Sequence, residues 1–302
     1  MGVRIRFTPF PTPPERLRVL FTIAHYYGPS PDGKYGSTRT TAADGRRQAL
    51  EQTIASLHQV VAQPQALVHG PIHGFLPANL GAATEITVVV CTTGERHLVD
   101  QLRLPAGAFE HRRTDSAPPY LGYECHGVLR ERMADFDWLC YLEDDIGIED
   151  SGFFQKLAWF SGWAGDGAVL QPNRFETSAQ APIHRLYIDG EPVRPEKIGY
   201  TQDLTDQTWL TAPFLDRPTH FRRVTNAHSG CFFLTRAQLA HWAAQPDFMR
   251  RERAFVGPLE SAATLGIARH FRVYKPERVN ASFLEVRHIH NRYLDALLDF
   301  VP

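Results

Sequence analysis

One stretch restricts what this chain can fold into more than any other: Asp137-Trp138-Leu139-Cys140-Tyr141-Leu142-Glu143-Asp144-Asp145. The apolar run from Trp138 to Leu142 has the length of a strand buried on both faces, the kind found in parallel sheets. It ends on three consecutive carboxylates. Like charges crowded at a poorly solvated strand end repel, so they drift toward the neutral form unless a cation balances them. A divalent ion is the simplest such cation, and oxygen ligands suit Mg²⁺ or Mn²⁺. Alternation along the strand end sends Glu143 and Asp145 to one side and Asp144 to the other. A solvated acidic turn is the competing reading. The metal is favoured because the strand lies mid-chain and open α/β sheets bind ligands at the carboxyl ends of their strands.

The preceding residues supply the rest of such a sheet. Leu17 to Ala24 reads as a first strand, delivering His25, Tyr26 and Tyr27 into a Gly/Pro-rich loop that runs to about Ala43. Asp44 is a candidate N-cap for a helix in which Leu50, Ile54, Leu57 and Val61 recur at helical spacing. Arg46 and Arg47 fall in its first turn, where positive charge opposes the helix dipole, so one of them is a candidate to face an anion. Pro64 to Ala83 reads as a connector whose His69 and His73 are surface residues. Glu85 to Cys91 is a β-branched strand, and Leu121 to Ala134 a helix with Leu121, Cys125, Val128, Leu129 and Met133 on one stripe. Strand, helix, strand, helix, strand predicts a parallel, Rossmann-like sheet with right-handed crossovers.

Beyond the acids the pattern changes. Gly152 to Trp163 predicts an aromatic-rich helix, and Ala168 to Gln171 a strand leading into Pro172-Asn173-Arg174-Phe175-Glu176. Leu186 to Val193 predicts a hairpin turning at Asp189-Gly190. Asn226-Ala227-His228-Ser229-Gly230 is a small-residue turn entering the apolar strand Cys231 to Leu234. Pro258 opens a helix with Glu260 in its first turn, where an acid also serves simply to stabilise the helix dipole. A strand-like run from Ser282 ends at His288-Ile289-His290, whose two imidazoles then face the same way.

With 302 residues, of which 43% are hydrophobic, the chain can bury a large core without disulfides. The formal net charge of -1 argues against a nucleic-acid binder held by bulk electrostatics. Cys91, Cys125, Cys140 and Cys231 show no paired spacing, which points to a reducing compartment. The Pro-rich start lacks a signal-peptide core, the run Val19 to Ala24 is too short to span a bilayer, and Arg6 stands where Gly2 myristoylation needs Ser or Thr. A soluble cytoplasmic protein without a transmembrane segment is expected, with peripheral membrane contact left open.

Together, the strand ending in Glu143-Asp144-Asp145, the Gly230-Cys231-Phe232-Phe233-Leu234 strand, the Glu260 helix and the late His288-Ile289-His290 resemble the GT-A class of nucleotide-sugar glycosyltransferases, of the family 2 kind. The resemblance spans roughly residues 17 to 295. It implies a single α/β domain over 1–302, with a mixed Rossmann-type sheet flanked by helices. Its nucleotide-sugar-binding half runs to about residue 150, and its acceptor-binding half covers 151–302. It implies an acidic D-x-D-like triplet that holds Mn²⁺ or Mg²⁺ against a UDP- or GDP-sugar, with Glu143 and Asp145 as metal ligands, Asp144 beside them, and His288 or His290 completing the site. Position 143 is Glu where the class more often has Asp. Glu260 is the candidate general base toward a glycan or other hydroxyl acceptor, although it stands in Leu259-Glu260 where many inverting members carry an acidic pair. By position, Thr22, Ala24, His25 and Tyr26 are expected near the base and ribose, with Arg46 near the diphosphate.

Two rival readings use the same residues. A metal-dependent hydrolase would build its centre from His288, His290 and the acids. A non-catalytic sugar- or nucleotide-binding module would stack rings on Trp138, Trp159, Trp163 and Trp209.

Overall fold

β1, Leu17–Ala24, is fully buried from Val19 onward, as a sequence apolar there at every position but Thr22 requires. The structure is a computed structural model that describes residues 16–28, 43–80, 84–179, 183–191 and 204–298. After β1 come α1 (Ala43–Ser56), β2 (Gln65–His69), β3 (Gly74–Ala78), β4 (Thr84–Thr93), β5 (Glu110–Thr114), α2 (Leu121–Arg132) and β6 (Trp138–Glu143). Next are β7 (Ile146–Gly147), α3 (Phe153–Ala164), β8 (Ala168–Leu170), β9 (Asn173–Thr177), β10 (Arg185–Tyr187), β11 (Trp209–Phe214) and β12 (Arg217–Arg223). The chain continues through β13 (Cys231–Thr235), α4 (Arg236–Ala243), α5 (Pro258–His270), β14 (Arg272–Pro276), β15 (Glu285–His288) and α6 (Arg292–Leu298).

The main sheet has the order β13-β6-β1-β4-β5, parallel except for β13, which runs antiparallel to β6. This is the mixed, parallel-dominated sheet flanked by helices that the sequence predicts. Alternate strand residues feed two cores. Phe21, Ile23, Cys140 and Leu142 pack under α1 and α3, while Leu20, Leu139, Tyr141 and Phe232 pack under α2, α4 and α5. Covering both faces explains why β1, β4 and β6 read as continuous apolar runs rather than alternating ones.

Among the described residues the other sheets are β11-β12-β14-β8, β10-β9-β15-β7 and the two-stranded β2-β3. The second matters for function, because β7 directly follows the acidic tip of β6 and pairs with β15, the strand that ends at His288.

Two expectations are corrected here, and a third lies partly outside the described residues. Residues 64–83 are not a plain connector, since β2 and β3 form an antiparallel hairpin. The hairpin expected from Leu186 to Val193 lies only partly within the described residues. β10 pairs with β9, because the strand-forming residues Arg185–Tyr187 find an open edge there, and the expected second arm at 192–193 lies outside the described residues. Asp44 sits one residue inside α1 rather than capping it. Most of the loop expected between Tyr27 and Ala43 also lies outside the described residues.

Candidate active site

The register of the central strands sets the site. Ala24 of β1 lies beside Glu143 of β6, so the next residues, His25 and Asp144, meet where the sheet ends. His25 Nδ1 is 2.6 Å from Asp144 Oδ2. Leu98 N–H donates to His25 Nε2 at 3.1 Å, which leaves the ring proton on Nδ1, facing the carboxylate. On the other flank, Glu143 N–H donates to the Gly230 carbonyl at 2.8 Å. Gly230 has φ +64°, and a Cβ there would stand 3.0 Å from Glu143 Oε2 and from Ile146, so glycine is required by both conformation and space.

Counter-charge comes from two arginines. Arg46 of α1 donates to Asp144, and its Nη1 reaches Asp145 Oδ2 at 3.3 Å. Arg174 of β9 lies 3.8 Å from Glu143 and holds Asp189 through Nε at 3.0 Å and Nη2 at 2.7 Å. Burial opposes ionisation of Asp144, but Arg46 and His25 outweigh it and hold the carboxyl down to about 2. Glu143 behaves oppositely. Burial, then the charge of Glu260, raises it well above the usual carboxylate range despite Arg174. Arginine thus supplies counter-charge at the acid triplet, which the sequence reading had assigned to metal alone.

His288 is placed by β15. Its backbone pairs with Ile146 of β7, and Ile289 N–H donates to the Asp145 carbonyl at 2.9 Å. His288 Nδ1 is 2.7 Å from Oε1 of the fully buried Glu176, and its Nε2 is 3.7 Å from Asp145 Oδ2. Burial opposes charge on this ring, yet the hydrogen bond to Glu176 and the charge of Asp145 raise its pKa. A carboxylate holding one ring nitrogen while the other faces an acid is how metal-ligating histidines are oriented. Asp145 Oδ1 and Glu143 Oε1 are buried without hydrogen-bond partners, so oxygen donors remain for an ion. Among the described residues no three His, Cys, Asp or Glu side chains converge as one ligand set. The donors thus fit Mn²⁺ or Mg²⁺ held by Asp145 and His288, with ligand oxygens and water filling the remaining positions. They do not fit a closed site built from protein alone, nor the three protein ligands a hydrolytic zinc centre uses.

His288 and His290 are neighbours, and the charge of Asp145 acts on both rings. β15 ends at His288, alternation stops there, and the rings lie 6.4 Å apart with an interplanar angle of 79°. His290 lies beside Gly45 of α1, and burial lowers its pKa against the opposing charge of Asp145.

Glu260 enters from the opposite wall. Pro258 opens α5 after Gly257, and α5 crosses α2 at Gly122, where a Cβ would stand 2.5 Å from Ala262. That close crossing brings Glu260 into the same cavity as Glu143, Asp145, Arg174 and His288, a space of about 640 Å³ at the carboxyl ends of β1 and β6. Burial is the main cause of its raised pKa. His228 lines the same space. Its Nδ1 is 3.1 Å from Thr264 Oγ1 and its Nε2 4.0 Å from Glu143, and burial followed by Arg174 pushes its pKa well below the usual range, so it is neutral. Behind it the buried Lys275 donates to the His228 carbonyl at 2.5 Å and lies 3.3 Å from Asp189.

The other sequence candidates fall differently. Thr22 and Ala24 are fully buried, and the Thr22 hydroxyl donates to the Cys140 carbonyl, so neither faces a ligand. His25 is equally buried and supports Asp144. Their expected contact with base and ribose is corrected, because the last residues of a central strand stay under the neighbouring strands. Tyr26, Arg46 and Asp144 do line the cavity. None of Trp138, Trp159, Trp163 and Trp209 lines it. Trp138 is core, and Trp159 stacks on Trp163. Arg174, Glu176, Asp189 and His228 were not singled out as site residues. The only hint in sequence was charge inside otherwise strand-like or small-residue segments.

No protein-family model and no curated protein sequence matches the chain. Among solved structures it is similar to residues 1–349 of S. aureus TarS, with a TM-score of 0.46 and 11% identity over 93% of this chain and 63% of that one. The same TarS fragment in complex with UDP gives 0.42 and 10% identity over 85% and 57%. A candidate nucleotide-diphospho-sugar transferase from Desulfovibrio desulfuricans G20 gives 0.38 and 12% identity over 89% and 79%. The chain therefore spans less than two thirds of the TarS fragment. Among the described residues no helix is long and apolar enough to cross a membrane.

Proposed function

We propose that this chain is a glycosyltransferase that moves a sugar from a nucleoside-diphosphate sugar to an acceptor hydroxyl, with Asp145 and His288 holding a divalent ion and Glu260 acting as general base. The supporting observation is that the oriented His288–Asp145 pair and Glu260 share one cavity at the carboxyl ends of parallel strands. In this reading the first half, to about residue 150, takes the donor, and residues 151–302 take the acceptor.

Each residue then has a task. Asp145 offers its unpartnered Oδ1 and His288 its Nε2, while Glu176 keeps the ring from turning. When bound, Mn²⁺ or Mg²⁺ would neutralise the charge that grows on the leaving diphosphate. Arg46, tied to both aspartates, keeps a buried Nε without a partner and turns it to a phosphate oxygen. Its own pKa is raised, since Asp144 and Asp145 outweigh the burial penalty, so its charge is permanent. Glu260 takes the proton from the acceptor hydroxyl as that oxygen bonds to the anomeric carbon and the bond from carbon to the phosphate oxygen breaks. A carboxylate made more basic by burial suits that role, and general-base catalysis of this kind contributes roughly 10² to 10⁴ in rate. Attack opposite the departing diphosphate inverts the anomeric centre.

The test is thermal denaturation with a panel of nucleoside diphosphates, with and without Mn²⁺, followed by incubation with UDP- and GDP-sugars. One nucleotide should stabilise the protein only with metal, and its sugar conjugate should be slowly hydrolysed. Stabilisation by no nucleotide in either condition would remove the donor from the proposal.

A further inference from the structure

No Asp, Glu, Lys or Arg stands between Glu51 and Glu85. In the middle of this uncharged stretch is the β2–β3 hairpin, and among the described residues neither strand pairs with any other. Directly opposed residues share a face, so Leu67 and Leu76 lie on one side of the ribbon and Val68 and Phe75 on the other. Leu67 is 62% exposed, and Val68 and Phe75 are each 73% exposed. A ribbon with open apolar side chains on both faces has no core side, and an isolated two-stranded hairpin is at best marginally stable in water.

Its root, by contrast, is polar and fixed. Gln63 Nε2 donates to the Asn79 carbonyl at 3.2 Å, and Asn79 Nδ2 donates to Gln65 Oε1 at 2.5 Å. Gln63 N–H donates to the Thr84 carbonyl at 3.0 Å, at the amino end of β4. The hairpin therefore leaves the sheet at the end opposite the acids, roughly 30 Å away along a ten-residue strand.

We propose that this hairpin inserts into the interfacial layer of a lipid bilayer, as a peripheral anchor that leaves the cavity facing away from the membrane. Three observations choose lipid over a protein partner. The exposed apolar side chains, with Leu80 at the root, offer a few hundred Å². A stable dimer buries about 800 Å² per partner. A protein surface covers one face of a ribbon and leaves the other in water, whereas lipid surrounds both. No carboxylate, ammonium or guanidinium has to be desolvated on entry. The outer edges of the two strands, unpaired among the described residues, limit the depth, because their peptide groups find no partner in hydrocarbon. The headgroup boundary, about 5–10 Å deep, suits them, and five-residue strands reach that far. The ribbon carries no acidic, lysine or arginine charge, only the imidazoles of His69 and His73 at its turn, so with these neutral, as at about pH 8, binding depends on apolar contact rather than lipid charge.

Co-sedimentation of the full chain with vesicles of phosphatidylcholine, and of phosphatidylcholine with phosphatidylglycerol, tests this. The expected result is binding to both, unaffected by roughly 0.5 M NaCl. The double substitution Val68→Asp, Phe75→Asp should weaken it by at least about tenfold, and Val68→Ser, Phe75→Ser by less. Melting temperature should stay unchanged, which separates lost insertion from lost folding. Three results would overturn the proposal: no sedimentation with either vesicle, binding only to the anionic vesicles and lost in salt, or undiminished binding of the Asp variant. A lipid-free dimer that the Asp variant turns into a monomer would overturn it too, by making a second copy the occupant.

Discussion

His288 presents its two ring nitrogens to two acids from different parts of the chain: Nε2 lies 3.7 Å from Asp145 Oδ2, and Nδ1 lies 2.7 Å from Glu176 Oε1. The ring cannot rotate without losing the Glu176 contact, which is buried and also accepts from Leu294 N–H at 2.6 Å. His288 is therefore set by the second of these acids to serve the first.

Glu176→Gln keeps the volume but removes the charge that orients His288. The expected result is a 10- to 100-fold weaker apparent affinity for Mn²⁺ in the presence of nucleoside diphosphate, roughly the usual cost of losing such an outer partner. Isothermal titration measures it, and an unchanged affinity would separate His288 from the ion.

Asp145→Asn should abolish turnover of the donor while leaving the melting temperature close to that of the parent. Glu260→Gln should lower transfer by roughly 10² to 10⁴ with nucleotide affinity nearly constant. Steady-state kinetics beside nucleotide titration separates the two effects. Equal losses in rate and affinity for Glu260→Gln would move that residue from catalysis to binding.

Gly266 faces the indole of Trp242, and a Cβ there would stand 2.0 Å from its Cζ2. Because Trp242 is buried, the ring cannot swing away freely. Gly266→Ala should cost about 1–3 kcal/mol by overpacking, read as a lower midpoint in chemical denaturation. The pair Gly266→Ala, Trp242→Leu should recover part of the loss, and no recovery would place the strain elsewhere.

His126 is fully buried on α2 among the rings of Tyr123, Tyr141, Phe232, Trp242 and Phe248. Burial lowers its pKa from 6.5 to about 3. The unfolded chain therefore binds a proton here between those values that the folded chain does not, so stability falls as pH drops below about 6.5, by about 1.4 kcal/mol per unit. Denaturation midpoints at pH 7 and pH 5 should differ less in His126→Leu than in the parent. An identical pH dependence in both would show that other groups set it.

Much of this was legible in the sequence because it depends on local pattern. The apolar runs Leu17–Ala24 and Trp138–Leu142 specify strands buried on both faces, and the helical spacing of Leu121, Cys125, Val128 and Leu129 specifies the helix that covers them. The chemistry of the acid tip and the first-turn place of Glu260 were readable for the same reason, since each depends on neighbours in sequence. Contacts between distant segments were not readable. Arg174 and Glu176 sit in the short strand β9 and Asp189 just beyond β10, and only the pairing of β9 with β15, and of β15 with the strand after the acids, brings them to the site. The faces of Thr22 and His25 likewise depended on which strands flank β1.

The sequence alone determined that three carboxylates end a buried strand and therefore demand positive charge, because self-repulsion in a poorly solvated place is a property of those residues wherever the chain takes them. Only the tertiary structure decided what answers that demand: Arg46 arriving from α1, Arg174 from β9, and His288 from β15. The reason is physical. A counter-charge acts through distance in space, and strand order and register, not separation along the chain, set that distance.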